Sequence, residues 1–383
     1  MIGKLQSFVP LYMRASIVLL GILSFFFIVY VGQNIILPLV FSVLVAILIN
    51  PLVNFLILKR INKIIAIAIP LLIALALMGG IIVFFSSQFN SFTEALPQLR
   101  IKFNELLVQL VDWLHRNFNL SSERINEWIS TKTAEQVDNS SKIIGSTVNR
   151  ITQFFVLVLL VPVYIFLLIY YKPLLLKFIS KLFPVDLHAE VVDVLREIKQ
   201  LVQHYLVGLL LEMFIIAGLT SLGLFLLGIQ NPVLFGVITA LLNTIPYVGV
   251  LVANISFATI ALITKSPSSA LFVLILYIVI QFIDNNIIVP RIIGAKVKIN
   301  ALATILTVLI GGELCGIAGM FLAIPVTAVF KVICDHIEPL EPIGYLLGDT
   351  MPASKRSIFK TGRVQLPVEN KGEVQKKSEE KKE

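Results

Sequence analysis

The residues of this chain that have chemistry to offer sit where chemistry is expensive. Asp284, Asn285, Asn286 and Arg291 close one long apolar run, and Glu313 falls inside the next, beside Gly311 and Gly312. Another carboxylate, Glu212, lies in the first third of an apolar run that starts near Tyr205. Asn243, Thr244, Pro246, Tyr247 and Gly249 interrupt a further run. Ionisable side chains at membrane depth are costly, and those that persist there mark ion, proton or solute pathways. Freed backbone at such breaks adds dipoles that coordinate ligands in transporters.

Each group also has a plainer reading. Asp284 can cap a helix end, Arg291 can mark a membrane boundary, Glu313 can be a solvated loop carboxylate and Glu212 can lie near the interface. The break at 243–249 can be an ordinary turn. Asp284 and Arg291 are seven positions apart. On an unbroken helix they would share a face about 10 Å apart along the axis, with Pro290 interrupting the geometry between them.

The elements that must hold these residues are helical and membrane-embedded. Of 383 residues, 57% are hydrophobic and 14% charged, too little polar surface for a soluble domain of this length. The apolar runs are continuous, unlike the alternating strands of a barrel. The expected fold is an all-α polytopic membrane protein of about eight apolar helical segments, two of them broken, with a small helical extracytoplasmic subdomain. Lys59, Arg60 and Lys63 crowd one short loop, which places that loop and both termini in the cytoplasm. The net charge of +8 reads as this orientation signal rather than nucleic-acid binding. The run at 15–32 is expected to remain as an anchor, because it is longer than an ordinary signal segment and no small-residue cleavage site follows.

Residues 1–86 are read as three N-terminal spans. Residues 87–149 are polar and of mixed charge. There Leu99, Phe103, Leu106, Leu110 and Leu114 recur at helical spacing, and a second helix is expected near Ser121. Residues 150–345 form a membrane transport region, with a basic amphipathic connector at 173–204. Within it Val191, Leu195, Ile198, Val202 and Tyr205 form a stripe, read as packing within the protomer with a neighbouring subunit as the alternative. Residues 346–383 are a Lys/Glu-rich cytoplasmic tail, expected to be disordered.

The broken segments, 232–264 and 300–334, each have a first arm of about 12–14 residues. At 1.5 Å per residue that is roughly 20 Å, short of a hydrocarbon core of about 30 Å. Two arrangements fit. Each segment is one full span, or each is a re-entrant hairpin, which leaves six full spans. The hairpins put Arg291, Lys296 and Lys298 inside and Lys265 outside, so positive-inside bias favours them. Short interrupted segments that enter from opposite faces also point to a transport site.

No P-loop, GxSxG or HExxH pattern occurs, so neither catalysis nor nucleotide-driven transport is expected. Cys315 and Cys334 lie inside apolar segments and suggest no disulfide or metal cluster. No cofactor is expected.

The stretches TIPYVG at 244–249, DNNIIVPRIIG at 284–294 and GGELCGIAGMFLAIPVTAVFKV at 311–332 resemble the autoinducer-2 exporter (AI-2E) family of bacterial transporters. The likeness covers roughly 10–345. It implies a permease of the bacterial inner membrane that exports a small polar metabolite, an autoinducer-2-like signal being one option, or alternatively a sodium/proton antiporter. It also implies homo-oligomeric assembly, with a pentamer as one form. The resemblance carries over no binding-residue set, so the candidates rest on membrane-depth polarity alone: Asp284, Asn285, Asn286, Arg291, Glu313, Glu212, Asn243, Pro246, Tyr247, Gly249, Gly311 and Gly312. The expected partners are the lipid bilayer and a small polar solute, or a cation or proton.

Overall fold

A computed structural model describes residues 10–118, 159–245, 248–292 and 299–349, and every regular element among them is helical. In chain order these are α1 (Leu11–Val31), α2 (Gln33–Leu58), α3 (Lys63–Phe118), α4 (Leu159–Tyr170), α5 (Lys172–Lys181) and α6 (His188–Leu226). Then come α7 (Pro232–Asn243), α8 (Val248–Thr264), α9 (Pro267–Ile292), α10 (Ala301–Asp335) and α11 (Glu341–Leu347).

Gln33–Leu58, Lys63–Gln88, Val185–Leu226, Pro267–Ile292 and Ala301–Asp335 are each long and apolar enough to cross a bilayer. The pair α4 and α5 passes the same test together, bent by 64°. The protein is a multi-pass membrane protein. Large apolar side chains such as Phe214, 77% exposed on α6, are what a lipid-facing helix surface presents.

Packed apolar clusters tie the helices together, three of them outside the site described below. Val53 of α2, Ala66 and Ile67 of α3, and Ile165 and Ile169 of α4 form the first. Leu44 of α2, Val202, Tyr205 and Leu209 of α6, and Leu322, Ala328 and Val332 of α10 form the second. The stripe expected around Val202 and Tyr205 therefore packs within the protomer. The third joins the end of α6 to α7, α8 and α9, with the Phe235 and Phe257 rings 4.8 Å apart.

Two boundaries expected from composition are not breaks in the backbone. α6 is one helix of 39 residues, so the amphipathic connector from His188 onward and the following span are continuous. Likewise α3 runs 56 residues, about 84 Å at 1.5 Å per residue, through the shift to polar sequence near residue 87. A change of face polarity alters what a helix packs against without ending it. The helix expected near Ser121 and the tail beyond 349 lie outside the described residues.

Both broken segments fold back on themselves. In α10 the helical ladder fails at Cys315 (φ −137°) and Gly316 (φ 61°), the second a left-handed conformation that suits glycine. The arms 301–314 and 317–335 then meet so closely that a Cβ on Gly319 would lie 1.9 Å from the Gly311 carbonyl oxygen. Residues eight apart on a straight helix would be about 12 Å apart. The open ends converge too. The Asn300 side-chain amide donates to the Gly348 carbonyl at 3.1 Å, and Lys331 lies beside Gly348. The pair α7–α8 is built the same way, because a Cβ on Gly249 would lie 1.7 Å from the Leu242 carbonyl oxygen.

Candidate functional site

The tip of the α7–α8 hairpin carries Asn243 into contact with two carboxylates. On α6, Glu212 shares a face with Leu209 and Ile216, three and four positions away, and all three are buried. On α9, Asp284 lies four positions from both Ile280 and Ile288, which pack with Ile216 and Ala240 in one apolar cluster. Asn243 ends α7 one turn after Ala240. The same apolar face that packs α6, α7 and α9 together thus delivers one polar side chain from each to a common point.

The geometry there is specific. Asn243 Nδ2 donates to Glu212 Oε1 at 2.8 Å and to Asp284 Oδ2 at 3.2 Å. An amide nitrogen has two hydrogens, so these bonds exhaust it. Asp284 Oδ1 is buried and has no hydrogen-bond partner. Glu212 and Asp284 are 6% and 2% exposed. Among the described residues no cationic side chain forms an ion pair with either. From Glu212 to the end of α6 at Leu226 is about 21 Å of helix, within the length of a hydrocarbon core of about 30 Å. Two buried carboxylates thus share one neutral amide, and among the described residues no cationic side chain offsets their charge.

The structure does not bring the other candidates to this point. Asn285 is exposed and accepts from Gln281 Nε2 at 3.2 Å, while Asn286 is exposed and donates to the Phe282 carbonyl at 2.8 Å. Arg291 is exposed and does not share the buried face of Asp284, contrary to the expectation from their spacing. The cause is a π-helical stretch, Asp284–Ile288, in which the Val289 N–H returns to the Asp284 carbonyl. A wider turn inserts one residue and rotates everything after it by roughly a quarter turn. Pro290 favours that insertion, since its ring would clash with the Asn286 carbonyl in a regular helix and it has no N–H to give.

Glu313 is exposed, next to the kink of α10 at Cys315 and Gly316. Gly311, Gly312 and Gly249 serve hairpin closure, with Gly312 set against Met320 and the others against opposing backbone. Pro246 and Tyr247 lie outside the described residues. Buried polar residues that escaped the sequence reading include Ser42 and Asn50, both on α2. Their signal was slight: an isolated polar residue in an apolar run, Asn50 directly before Pro51.

The description "AI-2E family transporter" belongs to the family profile that matches residues 17–338. The chain belongs to the AI-2E family. Relatives agree along most of the length. YrrI of Bacillus subtilis, named as a candidate transport protein, is 27% identical over 311 residues, 79% of this chain and 87% of its own. YhhT of Escherichia coli, also named as a candidate transport protein, is 25% identical over 333 residues, 85% and 92% of the two chains. TqsA of Escherichia coli, named as an AI-2 transport protein, is 27% identical over 321 residues, 83% and 90%. The AI-2E match spans all of α2 to α10, so it contains every element of the Glu212–Asn243–Asp284 cluster.

Proposed function

We propose that this AI-2E protein exports a small polar solute by secondary transport, with Glu212 and Asp284 as the groups through which a proton or cation couples to movement. One observation carries the reading. Asn243, at the tip of a broken segment, is the shared donor to two buried carboxylates. A hairpin tip is held by few backbone bonds, so a change of charge on the pair can move it. The relative named as an AI-2 transport protein makes a solute of that kind the first to assay. On this reading six helices cross the bacterial inner membrane (α1, α2, α3, α4, α6 and α9), both termini are cytoplasmic, and the working unit is a homo-oligomer.

The test is transport in proteoliposomes. The Glu212→Gln and Asp284→Asn variants should fold, lose uphill accumulation and keep downhill leak, while Glu313→Gln transports normally. Uphill transport that survives in the doubly neutralised protein would refute the coupling role.

The partnerless Asp284 Oδ1 favours a second reading, cation/proton antiport without a solute, because that oxygen is free to take a cation. Antiport in everted vesicles that disappears in the Asp284→Asn variant, with no solute exported by the wild type, would select it.

A further inference from the structure

A second polar site lies away from the carboxylates, where α2, α4, α5 and α6 meet. Asn50 is 5% exposed and sits in the helix that contributes Ile49 and Val53 to the cluster with Ile165 and Ile169. Its Oδ1 accepts from Lys172 Nζ at 3.2 Å. Its Nδ2 is shut off from solvent and has no partner. Exchanging the amide ends would set donor against donor at Lys172, so Lys172 fixes which end is left unpaired.

Lys172 opens α5, just past the end of α4, and it is only partly solvated. Burial lowers its pKa, and the neighbouring charge of Lys199 on α6 lowers it further. Among the described residues neither lysine takes part in an ion pair. A third ammonium is near, because Lys63 Nζ donates to the Tyr170 carbonyl at 2.8 Å, two residues before Lys172. The positive end of the α5 dipole adds to the same potential.

The acceptors at this place are neutral, and among the described residues no carboxylate pairs with its lysines. Like charges gathered where burial is partial repel. A tetrahedral oxyanion relieves that repulsion, since separate oxygens can accept from Lys172 and from Lys199. Leu174 and Phe178 extend beside the site with 62% and 58% of their surface exposed, where acyl chains would lie.

We propose that Lys172, held in place by Asn50, and Lys199 form a binding site for a phosphate group, carried by an anionic lipid headgroup or by a free phosphate. The site is independent of the Glu212–Asp284 pair, so it stands whether or not the transport reading does.

The experiment uses the full-length protein in lipid-free detergent and follows its thermal midpoint. Phosphatidylglycerol should raise the midpoint while phosphatidylcholine does not. Inorganic phosphate that raises it alone would identify a free anion as sufficient, and a response to phosphatidylglycerol only would identify the lipid. The Lys172→Gln/Lys199→Gln variant should need at least about tenfold more phosphatidylglycerol for half of the shift, the loss expected when charge-assisted hydrogen bonds go. Lys177→Gln, on the exposed face of α5, should respond like the wild type. Asn50→Asp supplies a fixed anion, so it should be more stable than the wild type without lipid and blind to phosphatidylglycerol. The proposal is overturned if neither anion shifts the wild type, if the double variant keeps the full response, or if Asn50→Asp remains lipid-sensitive.

Discussion

The Lys265 ammonium donates to the Leu227 carbonyl at 2.8 Å, across 38 positions of sequence. Between the two, the chain enters α7 and returns through α8. Gly228, with φ 64°, ends α6, and the Ile229 N–H closes back on the Leu224 carbonyl at 2.9 Å. That is a Schellman cap, and a cation at a helix C-terminus is electrostatically favoured. Both ends of the broken segment are therefore held together, and its tip is the part that reaches Glu212 and Asp284.

On the proposed orientation, the hairpin puts the Lys265 end outside, where a full span would put it inside. Ser268 is exposed beside the Lys265 end. In a cysteine-free background Ser268→Cys should react with an impermeant thiol reagent added outside intact cells. Reaction only after permeabilisation would rule out the re-entrant arrangement.

Close backbone contact at the hairpins predicts intolerance of a single methyl. Gly249→Ala and Gly319→Ala each force backbone apart, at a cost of about 1–3 kcal/mol. Gly21→Ala, with open space around its Cβ position, should be neutral. Thermal unfolding in detergent checks all three, and equal midpoints across the set would contradict the packing described.

Removing the shared donor should be more damaging than removing either acceptor. Asn243→Ala leaves two buried carboxylates unpaired, at a cost of about 2–3 kcal/mol. Combined with Asp284→Asn, that cost should shrink, giving a coupling of about 1 kcal/mol in a double-mutant cycle. Strict additivity of the two midpoints would mean the hydrogen bond contributes nothing to stability.

The π-helical stretch in α9 should depend on Pro290. Pro290→Ala restores an N–H and permits a regular turn, which would rotate Asp284 relative to the rest of the helix. The variant should be as stable as the wild type or more so, yet transport at least about tenfold more slowly, as expected when a reacting group is misplaced by about 1 Å. Unimpaired transport would show that the π turn is incidental to the site.

Much of this architecture was legible in the chain itself. Apolar runs at 33–58 and 267–292 announce spans whatever they pack against, because hydropathy is a sum over neighbours in sequence. The breaks at Asn243–Gly249 and around Gly316 were legible for the same reason, since proline and glycine act on their own backbone. The merging of connector and span into α6 was not. A switch in face polarity looks like a boundary in a local window, although the helical hydrogen bonds continue through it.

Sequence alone determined the membrane class, the family, the broken segments and a set of polar residues at membrane depth. It could not select among those residues. Glu212 and Asp284 lie 31 and 41 positions from Asn243, and they meet it because α7 turns back on α8 and the apolar faces of α6 and α9 close around the tip. One inserted residue in the α9 turn then carries Arg291 away from Asp284. Contact between distant residues follows from chain reversal and helix phase, and only the tertiary structure decides those.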